Sequence, residues 1–382
     1  MKQKVLFVAH MLRGHVLVFH LPYMKWFQEQ GYEVHLCSCN DTGKPVSEVP
    51  YCDRFFDLPF QRSPFGRQNL QVYREIKKLV DREDYALIHC HTPVGGMVGR
   101  LAARGARKRG TRVLYTAHGF HFFTGAPLRN WLLFYPAERF LARFTDLLIT
   151  INREDEAREA AWDAARARRF PARRVARTNG IGVDLSRFEP PADRAAVRAE
   201  LGIGPDAPMV ICVGEHSARK NHETVLRACA GEKDVQVLFG GVGEREDSLR
   251  ELAAELGMAE RTHFLGFRPD VPALLQASDV FLFPSLQEGL PMAQMEAMAA
   301  GLPCLVSNVR GNADLIGPMD GGMLRAPMDA EGFAQDLHFL LEHPEVRREM
   351  GERNRRVIRD YSLNAVLEQM AALYREELEA KG

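Results

Sequence analysis

A chain of 382 residues with 46% hydrophobic and 26% charged side chains has the composition of an ordinary globular protein, which excludes a fibrous or disordered chain and leaves room for two cores. Its seven cysteines are odd in number and lack paired spacing, which argues against a disulfide framework and for reduced thiols in a cytosolic setting. The net charge of zero is uneven: residues 1–180 hold 29 Lys+Arg against 17 Asp+Glu, a net +12, and residues 181–382 hold 21 against 33, a net −12.

No apolar run reaches the roughly 18 residues of a membrane span. The run from Lys4 to His10 is too short for a signal peptide and reads as a first strand. Gly14 stands where that strand meets its helix, so backbone can approach a phosphate there. Val16 to Gln30 reads as an amphipathic helix closed by Gly31. Strands at 32–39, 54–60 and 85–92, with a helix near 68–82, continue the alternation. Such alternation implies an α/β fold with a parallel, doubly wound sheet and ligands at the carboxyl ends of its strands.

Cys37 and Cys39 face one way on a strand with no second pair and read as core thiols. His89 and His91 share a strand face and could hold a metal; without acidic ligands nearby they read as polar strand-end residues. A strand at 112–116 leads into Ala117-His118-Gly119-Phe120-His121-Phe122-Phe123. That loop reads either as an aromatic plug over the core or as a site with His118 at its edge. Leu128 to Phe144 reads as a packed helix with a kink at Pro136, and 146–152 as the last strand of this half.

Residues 153–177 are rich in Ala and Arg, including Arg166, Arg168, Arg169, Arg173, Arg174 and Arg177. With Arg104, Arg107, Lys108, Arg109 and Arg112 they make the basic excess. Solvated helix faces and attachment to an anionic inner leaflet both account for it. Aromatic residues are not interleaved with these arginines, which argues against nucleic acid.

Charge changes sign near Asn179 to Phe188, and Pro190-Pro191 follows as a stiff linker, so a boundary is placed near 185. The domains are then 1–184 and 185–362, with a final helix near 363–382. Strands at 209–213, 235–239, 263–267 and 303–307 repeat the α/β pattern. Lys220, beside Arg219, stands near a helix start that Ser217 or Asn221 could cap. Gly240-Gly241-Val242-Gly243 lacks the last glycine of a dinucleotide fingerprint, because Glu246 holds that place. No D-x-D triplet, a carboxylate pair suited to a metal-bound diphosphate, occurs in the chain.

The organising stretch is Asp279 to Pro303. Val280 to Phe283 is a continuous apolar run, which suits a strand buried on both faces. Pro291 suits the first turn of a helix, and Gly301 with Pro303 close it. Glu296 lies on that apolar helix, where a carboxylate needs a partner, and Glu288 stands in the preceding loop, where unpaired amides favour an anion.

Glu288 with Glu296 eight residues on, in E-G-L-P followed by A-x-x-x-G-x-P, resembles the E-x7-E signature of family 4 glycosyltransferases, and the likeness covers nearly the whole chain. The resemblance implies the GT-B fold: two Rossmann-like domains facing a central cleft, with the final helix packing back on the first. It implies a retaining sugar transfer from a nucleotide donor, most simply UDP-linked, without a metal or other cofactor. Glu288 would meet the sugar hydroxyls, Glu296 the ribose, and Gly289, Leu290, Pro291 and Met292 with Lys220 and Arg219 the diphosphate. Phe267 and Arg268 would hold the base through backbone groups, Gly14 would lie on the acceptor side, and His118 would contact the donor sugar. Glu215 replaces the Arg that the family usually carries after its loop glycine. The expected acceptor is a lipid-linked or other saccharide at the inner membrane face. A catalytically idle sugar-nucleotide-binding subunit, an epimerase and a glycogen-type synthase are the rival readings.

Overall fold

The computed structural model describes residues 2–46, 48–166, 174–317 and 320–380. Arg168, Arg169 and Arg173 lie outside them. The chain divides into two compact units, Met1–Ile181 with Val366–Gly382, and Gly182–Ala365. Each is built on one parallel sheet.

In the first unit the strands are β1 (Lys4–Val8), β2 (Glu33–Ser38), β3 (Arg54–Asp57), β4 (Tyr85–His91), β5 (Arg112–Ala117), β6 (Leu147–Thr150) and β7 (Arg174–Arg177). They lie in the order β3-β2-β1-β4-β5-β6-β7, so the direction of winding reverses between β1 and β4. The period of two along each strand sorts side chains to opposite faces. Leu6, Val8, Ile88 and Cys90 enter one core, and Val5, Phe7, Leu87 and Leu114 the other. The helix Leu363–Glu379 closes the second face with Val366, Met370, Ala371 and Tyr374.

Three local expectations are corrected here. The stretch 16–30 is not one helix: a wide turn at Leu12–Val16 and a short helix Leu17–Phe19 precede a separate helix Leu21–Glu29. Pro22 is the reason, since it lacks an amide and its ring clashes with the carbonyl one turn back; the break leaves His20 turned inward, buried. The strand near 146–152 is not the last, because β7 pairs with β6 outside it. Leu128–Leu141 is a helix, but it is not fully packed: Leu128, Leu132, Leu133 and Phe140 are exposed.

The second unit has β8 (Met209–Val213), β9 (Gln236–Gly240), β10 (Thr262–Phe264), β11 (Val280–Phe283), β12 (Cys304–Ser307) and β13 (Gly322–Arg325). Their order is β10-β9-β8-β11-β12-β13, with the reversal between β8 and β11. All four residues of β11 are buried, as expected for a strand covered on both faces. Helices Ala330–Glu342 and Pro344–Val357 follow β13. That last strand, four residues at the sheet edge, was not foreseen.

Candidate active site

Doubly wound sheets bind ligands where the winding reverses, beyond the carboxyl ends of the two central strands. In the second unit those ends are Gly214 after β8 and Pro284 after β11. The loop after β8 delivers Arg219 and Lys220 through a short helical turn, Ala218–Lys220. The loop after β11 delivers Glu288, and the three side chains meet. Lys220 Nζ donates to Glu288 Oε1 at 2.8 Å and Arg219 Nη1 to the same oxygen at 3.0 Å. Ser285 Oγ adds a third bond at 2.6 Å. Lys220 also lies 4.6 Å above the Phe283 ring, and its side chain is 12% exposed, so its charge is fixed in a partly desolvated place.

Backbone holds that arrangement. Arg310 Nε donates to the Glu288 carbonyl at 3.0 Å. Gly311, at φ +80°, lies so close to the Gly289 carbonyl that any Cβ there would strike it. Asn221 does not cap the helix His222–Cys229 with its side chain; its amide donates to the Pro284 and Pro327 carbonyls and ties the two loops together. Pro291 precedes the helix Met292–Ala300 as its cap rather than entering its first turn. Gly289, Leu290 and Met292 are half-buried and Pro291 is buried.

Glu296 has a partner that its own helix could not supply. Arg187 Nη1 donates to Glu296 Oε1 at 2.9 Å. Burial raises the Glu296 pKa, and the Arg187 guanidinium opposes that shift. Phe267 is 83% exposed. Arg268 is bound by Asp270 and Glu200, which hold its pKa above the usual arginine range, so its side chain is already engaged while its backbone follows β10.

In the first unit the corresponding reversal is ringed by histidines. His15 follows β1, His91 ends β4 and His118 follows β5. His20 Nε2 and His15 Nδ1 share a hydrogen bond of 2.8 Å, and the rings of His20 and His91 stack at 3.8 Å. The His15 and His118 rings meet edge to face at 4.8 Å. Burial lowers every one of these pKa values: His15 to about 2, His118 to about 4, and His20 and His91 well below the usual range. His89 is not at a strand end in solvent but in the core, bonded to Tyr374 and Thr116 at 2.8 Å each, with its pKa lowered by burial to about 3. Phe120 and Phe122 are buried and stacked on each other. The Gly14 amide donates to Asp41 Oδ2 at 3.2 Å, so a phosphate approaching it must displace a carboxylate.

Residues 4–152 match the family described as glycosyl transferase 4-like, and residues 193–357 match glycosyl transferases group 1. The putative glycosyltransferase EpsD of Bacillus subtilis is 40% identical over 380 residues, covering 98% of this chain and 97% of the relative. The chain belongs to the family 4-type glycosyltransferases. An Escherichia coli relative, named a UDP-Gal:alpha-D-GlcNAc-diphosphoundecaprenol alpha-1,3-galactosyltransferase, is 30% identical over 71% of each chain. The Anabaena protein HepE, solved in complex with UDP, superposes with a TM-score of 0.79 at 19% identity over 98% of this chain and 100% of that one. Sucrose-phosphate synthase of Thermosynechococcus elongatus superposes at 0.77 and 22% identity, over 99% and 100%. At such identities the likeness shows the fold, two Rossmann-like domains of the GT-B type.

Sequence reasoning about this glycosyltransferase missed Ser285, Arg310 and Arg187. Ser285 carried a signal, three residues before Glu288 in one loop. Arg187 and Arg310 carried none, since each reaches its target across the fold.

Proposed function

We propose that this glycosyltransferase moves a sugar from a UDP-linked donor to a lipid-linked or other saccharide acceptor, with retention at the anomeric carbon, in surface polysaccharide assembly. The observation that carries this reading is Glu288 gripped by Lys220 and Arg219 at the winding reversal of the second unit. Two cations held there can turn from Glu288 to a bound diphosphate and stabilise it as it leaves, and Glu288, so released, would face positive charge developing on the sugar ring. Arg219 takes the place of the Arg that the family carries where Glu215 stands; Glu215 itself is exposed. Glu296 would accept the ribose hydroxyls with Arg187 as its neighbour, and His118 would contact the donor sugar. The names of the E. coli relative and of the UDP-bound Anabaena protein support a uridine donor.

The test is a panel of UDP-, GDP- and ADP-sugars added to the protein in a chelating buffer. One UDP-sugar should raise the melting temperature, and the shift should vanish in Glu296→Ala. No shift with any nucleotide sugar would overturn the donor assignment, and a product of inverted configuration by NMR would overturn retention. Binding with neither transfer nor donor hydrolysis would leave the idle-subunit reading.

We propose further that the first unit rests on an anionic membrane surface through the helix Leu128–Leu141. Its exposed residues Leu128 (72%), Leu132 (71%), Leu133 (45%) and Phe140 (47%) lie within an arc of about 140° at about 100° per residue. Arg129, Arg139 and Arg143 accompany it and are exposed. An exposed face of apolar side chains mixed with cations suits shallow burial at a headgroup interface. Among the described residues no helix is long and apolar enough to cross a membrane. The protein should co-float with phosphatidylglycerol vesicles, less at high salt, and Leu132→Asp with Leu133→Asp should abolish it. Flotation unchanged in that double variant would refute the assignment.

A further inference from the structure

We propose that His15, His20 and His118 form a zinc site, each giving one ring nitrogen and leaving a fourth position to a water or another oxygen ligand. One ring nitrogen of each lies within 4.8 Å of one from each of the others. The three come from separate elements, the turn after β1, the break before Leu21–Glu29 and the loop after β5, so their convergence is a property of the fold and not of one helix face.

A second observation points to a ligand. Among the described residues, His118 Nε2, His20 Nδ1 and both ring nitrogens of His91 are buried without a hydrogen-bond partner. An imidazole nitrogen enclosed without a partner costs stability; an ion on these three rings would satisfy His118 Nε2, while His20 Nδ1 and the His91 nitrogens are not among its ligands. The donor chemistry narrows the ion to one that takes imidazole. Three imidazoles with no carboxylate suit zinc and exclude magnesium and calcium, which require oxygen. Three protein ligands with one open position are a common arrangement for zinc that keeps a water.

Binding needs the rings to adjust, since ligand nitrogens up to 4.8 Å apart must close to about 3.3 Å. His15 Nδ1 and His20 Nε2 are 2.8 Å apart, whereas two nitrogens on a tetrahedral zinc at about 2.0–2.1 Å lie about 3.3 Å apart. The pair must part by about half an ångström. The ring hydrogen they share must move to the other nitrogen of its own ring, which releases no proton. His15 can yield, since it follows Gly14 in a half-buried turn. The His91 ring, stacked between His20 and Phe7, fixes the His20 ring from behind. Zinc held this way withdraws His118 from the donor sugar and so inhibits transfer; this consequence rests on the transferase reading, whereas the site does not.

The experiment is a titration of the full chain, stripped with chelator, by Zn2+ against a chromophoric competitor. One ion should bind per chain, and Co2+ should give the visible d–d bands of a four-coordinate site. His15→Gln and His118→Gln, each checked for native circular dichroism, should lose affinity by at least an order of magnitude and lose those bands. No saturable binding, or binding unchanged in both variants, overturns the site. Transfer unaffected at saturating zinc overturns the inhibition alone, and absence of transfer in any condition counts against the transferase reading without touching the metal titration.

Discussion

Glu288→Gln is expected to lower turnover by about 10²- to 10³-fold, the usual cost of removing one preorganised electrostatic contact to a transition state. It should also lower stability, for a separable reason. Lys220 Nζ, Arg219 Nη1 and Ser285 Oγ all converge on Glu288 Oε1, and Lys220 is largely buried. Taking away the carboxylate strands the lysine, and breaking a buried pair in this way costs about 3–5 kcal/mol. Lys220→Met should lose donor binding and turnover by about 10²-fold while leaving Arg219 and Ser285 on the carboxylate. The double variant divides the two roles. With the stranded charge gone, its urea midpoint should recover toward that of the parent, but its turnover should stay at the level of the worse single variant. If Glu288 were only a loop fastener, stability and turnover would recover together. The measurements are kcat, KM for the UDP-sugar, and the urea midpoint for all four proteins of the cycle.

The two sheets were legible because their strands are apolar and alternate with helical periods. Val280 to Phe283 and Tyr85 to His91 are buried throughout, as runs of that composition demand. β7 and β13 were not legible. Arg-Val-Ala-Arg and Gly-Met-Leu-Arg are four residues each at a sheet edge, where neither length nor hydrophobicity separates strand from loop. The same limit applies to the site. Glu288 and Lys220 could be singled out locally, one in a strand-to-helix loop and one beside a helix start. Glu296 announced that it needed a partner, but Arg187 lies 109 positions away, and no local pattern encodes that distance. His20 was hidden in what reads as a continuous helix. Only the break that Pro22 imposes turns its ring inward onto His91, and the histidine ring around His118 became visible with it.

That ring also sets how the first unit should respond to acid. His20, His89 and His91 are all but inaccessible to solvent, and burial lowers each pKa, to about 3 for His89 and well below the usual range for the other two. In the unfolded chain each titrates near 6.5. Between the two values the unfolded state binds more protons than the folded one, so stability falls as pH drops below about 6.5, by about 1.4 kcal/mol per pH unit for each residue. For three residues together that slope is steep against the whole stability of a typical domain, about 5–15 kcal/mol. The unit is therefore expected to lose most of its urea resistance between pH 6.5 and 5, before most carboxylates are protonated. His91→Phe isolates one member: it replaces a ring that stacks on Phe7 and whose nitrogens accept and donate no hydrogen bond among the described residues. It should flatten the pH dependence of the urea midpoint by the equivalent of one proton and raise stability at pH 5. The measurements belong in chelator, so that metal binding does not supply a competing linkage. A urea midpoint that is flat from pH 7 to 5, or a slope unchanged in His91→Phe, would show that these imidazoles take up protons without unfolding the sheet beneath them.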